Sequence, residues 1–159
     1  MKKRIYIPII VLILLVAASF LGFLYGVHQG EKQSLTNTQE WVTGRCIQQL
    51  ETAQSEFKKW QTFQDARYYW AGVDAYGNFY TNYDWLCTLY DNSTLVAPLR
   101  TYSQMNQMLL VAPDHCQAHM EQLLMALEGI RSHPLDLNAE KDMRQLYYDI
   151  SSEAEGNTT

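Results

Sequence analysis

The stretch Asp114-His115-Cys116-Gln117-Ala118-His119-Met120 gathers the softest ligands in the chain. On a helix, His115 and His119 are four residues apart, so both rings project from one face. Cys116 and Met120 form a second pair with the same spacing on the adjacent face. Met105 and Met108 would join them if the two helices involved pack together. Imidazole, thiolate and thioether in one place would suit copper or zinc. The plainer reading is packing, because Cys116 and Met120 also fall on an apolar stripe where soft side chains belong. One histidine pair supplies two ligands, and no Cys-x-x-Cys completes the set. His115, Cys116 and His119 are therefore a metal candidate of second rank, and no cofactor is expected.

A second concentration of chemistry lies between residues 68 and 90. Tyr68, Tyr69, Trp70, Tyr76, Phe79, Tyr80, Tyr83, Trp85 and Tyr90 all fall within it. Tyr and Trp join an apolar body to a polar tip, which suits recognition of peptide or sugar surfaces. Asp74, Asn78, Asn82 and Asp84 are interleaved and able to orient hydroxyl groups. Several of these rings must fill a core. Those that cannot all face inward, Tyr76, Tyr80, Tyr83 and Trp85, are the expected contact surface.

Cys46, Cys87 and Cys116 are the three cysteines. All lie on apolar stripes, so buried thiols are the plain expectation. In an oxidising compartment one disulfide among the three would join two helices and leave one thiol over. Nucleophilic catalysis finds no Gly-x-Ser-x-Gly and no supported Ser-x-x-Lys, and there is no Gly-rich phosphate loop. The carboxylates are scattered along polar faces. The chain is not expected to be an enzyme.

These residues need elements to position them, and the pattern predicts helices throughout. Lys2, Lys3 and Arg4 form a basic head over residues 1–4. An uncharged apolar run from Ile5 to Tyr25 follows, long enough at about 1.5 Å per residue to span a bilayer core of roughly 30 Å. Residues 5–27 thus read as a transmembrane signal-anchor helix. Ala17-Ala18-Ser19 offers a cleavage site, but Phe20, Leu21, Phe23, Leu24 and Tyr25 continue the apolar run beyond it, which favours an uncleaved anchor. The basic head keeps the N-terminus cytoplasmic and sends the rest across. So short a cytoplasmic part leaves no room for an intracellular output domain.

Removing the three basic residues of the head leaves nine lysines and arginines against all 17 acids, a formal charge of −8. Such a surface repels phosphate backbones, so nucleic acid is not an expected partner.

Residues 28–37 read as a polar spacer or a helical stalk. Asn37 and Glu40 resemble a capping box opening a helix over about 38–64. Val42, Cys46, Leu50, Ala53, Phe57 and Trp60 recur at helical spacing along it, and Trp41, Ile47 and Phe63 widen the stripe. Gly72 and Tyr76-Gly77-Asn78 suggest a bend, with a helix over about 79–91 and a hairpin as the alternative. Asn92-Ser93 marks a turn. Further helices are predicted up to about Val111, over about 113–131, and from Asn138 to about 150. The tail, 151–159, reads as disordered. Asn92-Ser93-Thr94 and Asn157-Thr158-Thr159 match the glycosylation acceptor pattern, which matters only in a eukaryotic secretory route.

The expected fold class is all-α: an N-terminal transmembrane helix, then an antiparallel bundle of four to five helices over 38–150 on the extracytoplasmic side. The expected role is a protein–protein interaction or accessory module, by partner binding or self-association. The alternative is a ligand-binding module, for metal through His115, Cys116 and His119 or for sugar or peptide through the Tyr/Trp-rich region.

Overall fold

The computed structural model describes residues 3–90, 95–136 and 138–156, with side chains from Ser19 onward, Leu24 excepted. The expected turn at Asn92-Ser93 and both glycosylation triplets lie outside the described residues. Among those residues the chain is all helical and has no strand: α1 (Lys3–Phe63), α2 (Ala66–Tyr90), α3 (Val96–Val111), α4 (Pro113–Ala118), α5 (Met120–Ser132) and α6 (Lys141–Gly156). The hairpin weighed around Gly77 is therefore absent.

The chain divides into two units, residues 1–38 and 39–159. The first unit is α-helical throughout its described length. It carries exposed Phe20, Leu21, Phe23 and Tyr25 on consecutive turns. Among the described residues no helix is long and apolar enough to cross a membrane. The anchor expected over 5–27 falls mostly on residues whose side chains lie outside the description. Asn37 and Glu40 sit inside α1, so they form no capping box, and Thr36 and Thr38 return their hydroxyls to the carbonyls of Lys32 and Ser34.

The second unit is a helical bundle. Val42, Cys46, Leu50, Ala53, Phe57 and Trp60 form the buried edge of α1, as their spacing predicts. Phe57 and Trp60 meet Tyr69 near the start of α2, while Gln39 reaches the carbonyl of Leu89 near its end, so α1 and α2 run antiparallel. Against α5, Gln54 donates to the carbonyl of Leu124 and Arg131 pairs with Glu51, again antiparallel. Tyr69 and Tyr76 donate to the carbonyls of Leu109 and Tyr102, fixing α3 antiparallel to α2. The last helix, α6, lies against α3, α4 and α5.

Three local expectations change. Residues 72–78 do not bend: α2 is one helix of 25 residues. Gly72 is there because a Cβ at that position would lie 2.6 Å from the Phe57 ring. The glycine admits a neighbour and does not break a helix. With the helix starting earlier, the buried stripe becomes Tyr69, Gly72, Tyr76, Phe79, Tyr83 and Leu86. The single helix expected over 113–131 is interrupted at His119 (φ −102°, ψ 20°). The backbone bonds from His119 to His115 and from Leu123 to His119 persist across the step. Finally, the tail expected to be disordered from 151 is helical as far as Gly156, and Glu153 pairs with His119 at 3.0 Å. Residues 157–159 lie outside the described residues.

Candidate interaction surface

Tyr69, Tyr76, Tyr83 and Tyr102 are wholly inside, packed with Phe57 and Phe79. Tyrosine tolerates this where its hydroxyl finds a carbonyl. Tyr69 does so at 3.0 Å and Tyr76 at 3.3 Å. Burial pushes the phenols of Tyr69, Tyr76, Tyr83 and Tyr102 well above their ordinary range, so they remain neutral. Tyr76 and Tyr83 are therefore core residues, and their assignment to a contact surface is corrected. Tyr80 is half-buried and Trp85 is exposed, as a surface role requires.

Tryptophan does the opposite. Trp60 is buried, but Trp41 is 52 % exposed, Trp70 47 % and Trp85 44 %. Trp41 and Trp85 meet edge to face with ring centres 5.8 Å apart, joining the outer faces of α1 and α2. The Arg45 guanidinium lies over the Trp41 ring at 5.1 Å. This arrangement spreads cationic charge over an aromatic face. Gly44 leaves the α1 surface beside the ring open, with no atom within 4 Å of a Cβ built there.

Trp70 belongs to a second feature, a groove of about 480 Å³ between α2 and α3. Trp70, Tyr80 and Leu110 supply its apolar walls, and Asp74, Asn78 and Asn106 supply polar groups. Asn78 donates to the Asp74 carboxylate at 3.3 Å, which orients the pair. Gly77 forms part of the lining, and a Cβ there would touch Asn106 Oδ1 at 3.4 Å. Stacking rings beside carboxylate and amide groups can hold a hydroxylated or amide-rich ligand.

The metal candidate is taken apart by the fold. Cys116 is fully buried, and desolvation pushes its thiol up to about 12. His119 points to α6, with Nδ1 at 2.5 Å from Gln122 Oε1 and Nε2 at 3.0 Å from Glu153 Oε2. Two oxygen acceptors fit an imidazolium with two N–H donors, and the Glu153 hydrogen bond, then that of Gln122, raises the His119 pKa. Among the described residues no three His, Cys, Asp or Glu side chains are placed to hold a metal ion. The three cysteines are free thiols, so none of the disulfides considered among Cys46, Cys87 and Cys116 is formed. Desolvation, and then the neighbouring Cys87, push the Cys46 thiol up to about 12, while Cys87 rises to about 11 through desolvation and Asp84.

Sequence reasoning passed over several residues that matter. Trp41 was grouped with the core stripe, although it stands one position, or about 100°, from buried Val42. Trp85 has the same relation to Leu86. The burial of Gln54 and Glu140 also went unnoticed. Gln54 satisfies the Leu124 carbonyl and Glu128. Glu140 pairs with Arg144 through Oε1, while its buried Oε2 and the Tyr102 hydroxyl have no partner among the described residues. Compared with protein-family models, with curated proteins and with solved structures, the chain has no significant match.

Proposed function

We propose that this protein is a single-pass, membrane-anchored module whose helical domain binds another protein through its exposed tryptophans. The observation that carries the reading is that three of the four tryptophans face out, while four tyrosines are taken into the core. Leaving an indole half exposed forfeits about 1 kcal/mol of apolar burial. Tryptophan is also enriched among the residues that dominate binding energy at protein interfaces. The Trp41–Trp85 pair, with Arg45 against it, has the composition of such an anchor.

The anchor rests on the uncharged run from Ile5 to Tyr25 and on the basic head before it. A helix apolar on every side belongs in a bilayer or a large core, and Phe20, Leu21, Phe23 and Tyr25 are uncovered in their own unit. In this reading the domain lies on the extracytoplasmic side. Its acidity favours a neutral or basic partner over nucleic acid or anionic lipid.

The test uses the full-length chain purified from its own membranes. The protein is expected to resist alkaline extraction and to co-purify with a defined partner or a second copy. Trp85→Ala should remove that partner without changing helicity. Retention of the same partner by Trp41→Ala, Trp70→Ala and Trp85→Ala alike would refute the reading. A sugar or peptide ligand is the second reading, favoured by Trp70 and Tyr80 beside Asp74, Asn78 and Asn106. It expects a ligand-induced change in fluorescence that Trp70→Phe abolishes.

A further inference from the structure

A second groove, of about 350 Å³, runs between α5 and α6 on residues separate from the tryptophan surfaces. Its apolar lining is Met125, Ala126 and Leu146, and its charged residues are Asp142 and Asp149. Met125 is 61 % exposed although it lies beside buried Ala126 and Leu146. No lysine or arginine lines the groove among the described residues. Arg144 is turned away to Glu140, and Arg131 to Glu128 and Glu51. His119 faces Asp149 but is already bonded to Glu153 and Gln122, and Lys141, beside Asp142, is exposed and acts on Asp136.

Asp142 and Asp149 are seven residues apart, two turns on one side of α6, or about 10 Å along its axis. Gln145, between them, donates to Asp149 Oδ1 at 2.8 Å and holds that carboxylate at the rim. The groove therefore presents negative charge at two points separated by a helical repeat, with apolar surface between.

We propose that the α5/α6 groove is a docking site for a basic amphipathic helix of a partner protein. Two lysines or arginines seven residues apart would meet Asp142 and Asp149. An apolar side chain midway, three or four residues from each, would cover exposed Met125. Charge complementarity selects this occupant: a second copy of the acidic domain, or an acidic segment, would bring like charges together. The site stands whether or not the tryptophan surfaces bind a partner, since the two share no residue.

The test is binding of a labelled helical peptide of about 15 residues, with leucine on one face and lysines seven apart beside it, followed by fluorescence anisotropy with the full-length protein. Asp142→Asn with Asp149→Asn should weaken binding about tenfold. Met125→Ala should weaken it as well, and added salt should reduce it. Glu31→Gln with Asp114→Asn removes the same charge from exposed positions outside both grooves and should leave binding unchanged. Circular dichroism checks that each variant keeps its helicity. Equal losses in both double variants would reduce the effect to general acidity and overturn the proposal. So would failure of the unaltered protein to bind the lysine peptide, or equal binding of a peptide with glutamate in place of lysine.

Discussion

Tyr69 and Tyr102 sit in the same core and differ in one bond. The Tyr69 hydroxyl donates to the Leu109 carbonyl, whereas the buried Tyr102 hydroxyl has no partner among the described residues. A buried hydrogen bond contributes about 1 kcal/mol, and an unmade one is a liability. Tyr69→Phe should therefore destabilise the domain by about 1 kcal/mol in urea unfolding, while Tyr102→Phe should leave it unchanged or more stable. A larger loss for Tyr102→Phe would contradict this. The thiols give a second test at this scale. Thiolate is the reactive form, and burial pushes Cys46 and Cys116 up to about 12. Both should resist iodoacetamide at neutral pH until the protein is unfolded, and a non-reducing gel should show no intrachain bridge. Burial of Cys46 and Cys116 was readable from their stripes, whereas Cys87 is only half-buried. The His115–Cys116–His119 cluster misled because spacing along a helix says nothing of what a ring meets across it. Here Glu153, 34 residues away, captures His119.

Among the elements, α1 was the most legible, because apolar and polar residues alternate on it at a clean helical period. The α2 helix was the least legible. Aromatic residues occupy so many of its positions that its apolar face has little contrast, and Gly72 looks like a breaker when only the chain itself is in view. Its role depends on Phe57. Gly72→Ala should cost about 1–3 kcal/mol through overpacking. Gly129→Ala, with nothing within 4 Å of the added carbon, should add about 0.5–1 kcal/mol from helix propensity. Thermal melts followed by circular dichroism would check both signs. The end of α6 was missed for a related reason: residues 151–156 are polar, and their helix is held by the distant His119–Glu153 pair. Pairing raises the His119 pKa. Its contribution is complete below the unfolded value, about 6.5, and fades as pH rises through the folded one. The unaltered protein should thus exceed Glu153→Gln in melting temperature at pH 5.5 and match it at pH 9. An equal gap at both pH values would mean that the pair is not the source.

At the scale of the molecule, an all-helical bundle followed from amphipathic periods and short connections, which constrain how stripes can meet. The distribution of aromatics over that bundle did not. Tyr76 and Tyr83 were expected outside and lie in the core, while Trp41 was expected inside and lies out. A shift of one residue turns a side chain by about 100°, and no local signal fixes the rotation of α2 against α1. The resulting surface, indoles on an acidic domain behind an apolar N-terminal run, is the basis for an anchored binding module. The most direct test places a photo-crosslinking amino acid at exposed position 48, beside Trp41 and Arg45, of the full-length chain in the cells that make it, with the same group at exposed Lys58 as the control. A discrete protein adduct from position 48, absent from position 58 and lost when Trp85→Ala is added, is the expected result. No adduct from position 48, or the same adducts from both positions, would contradict the tryptophan surface as the binding site.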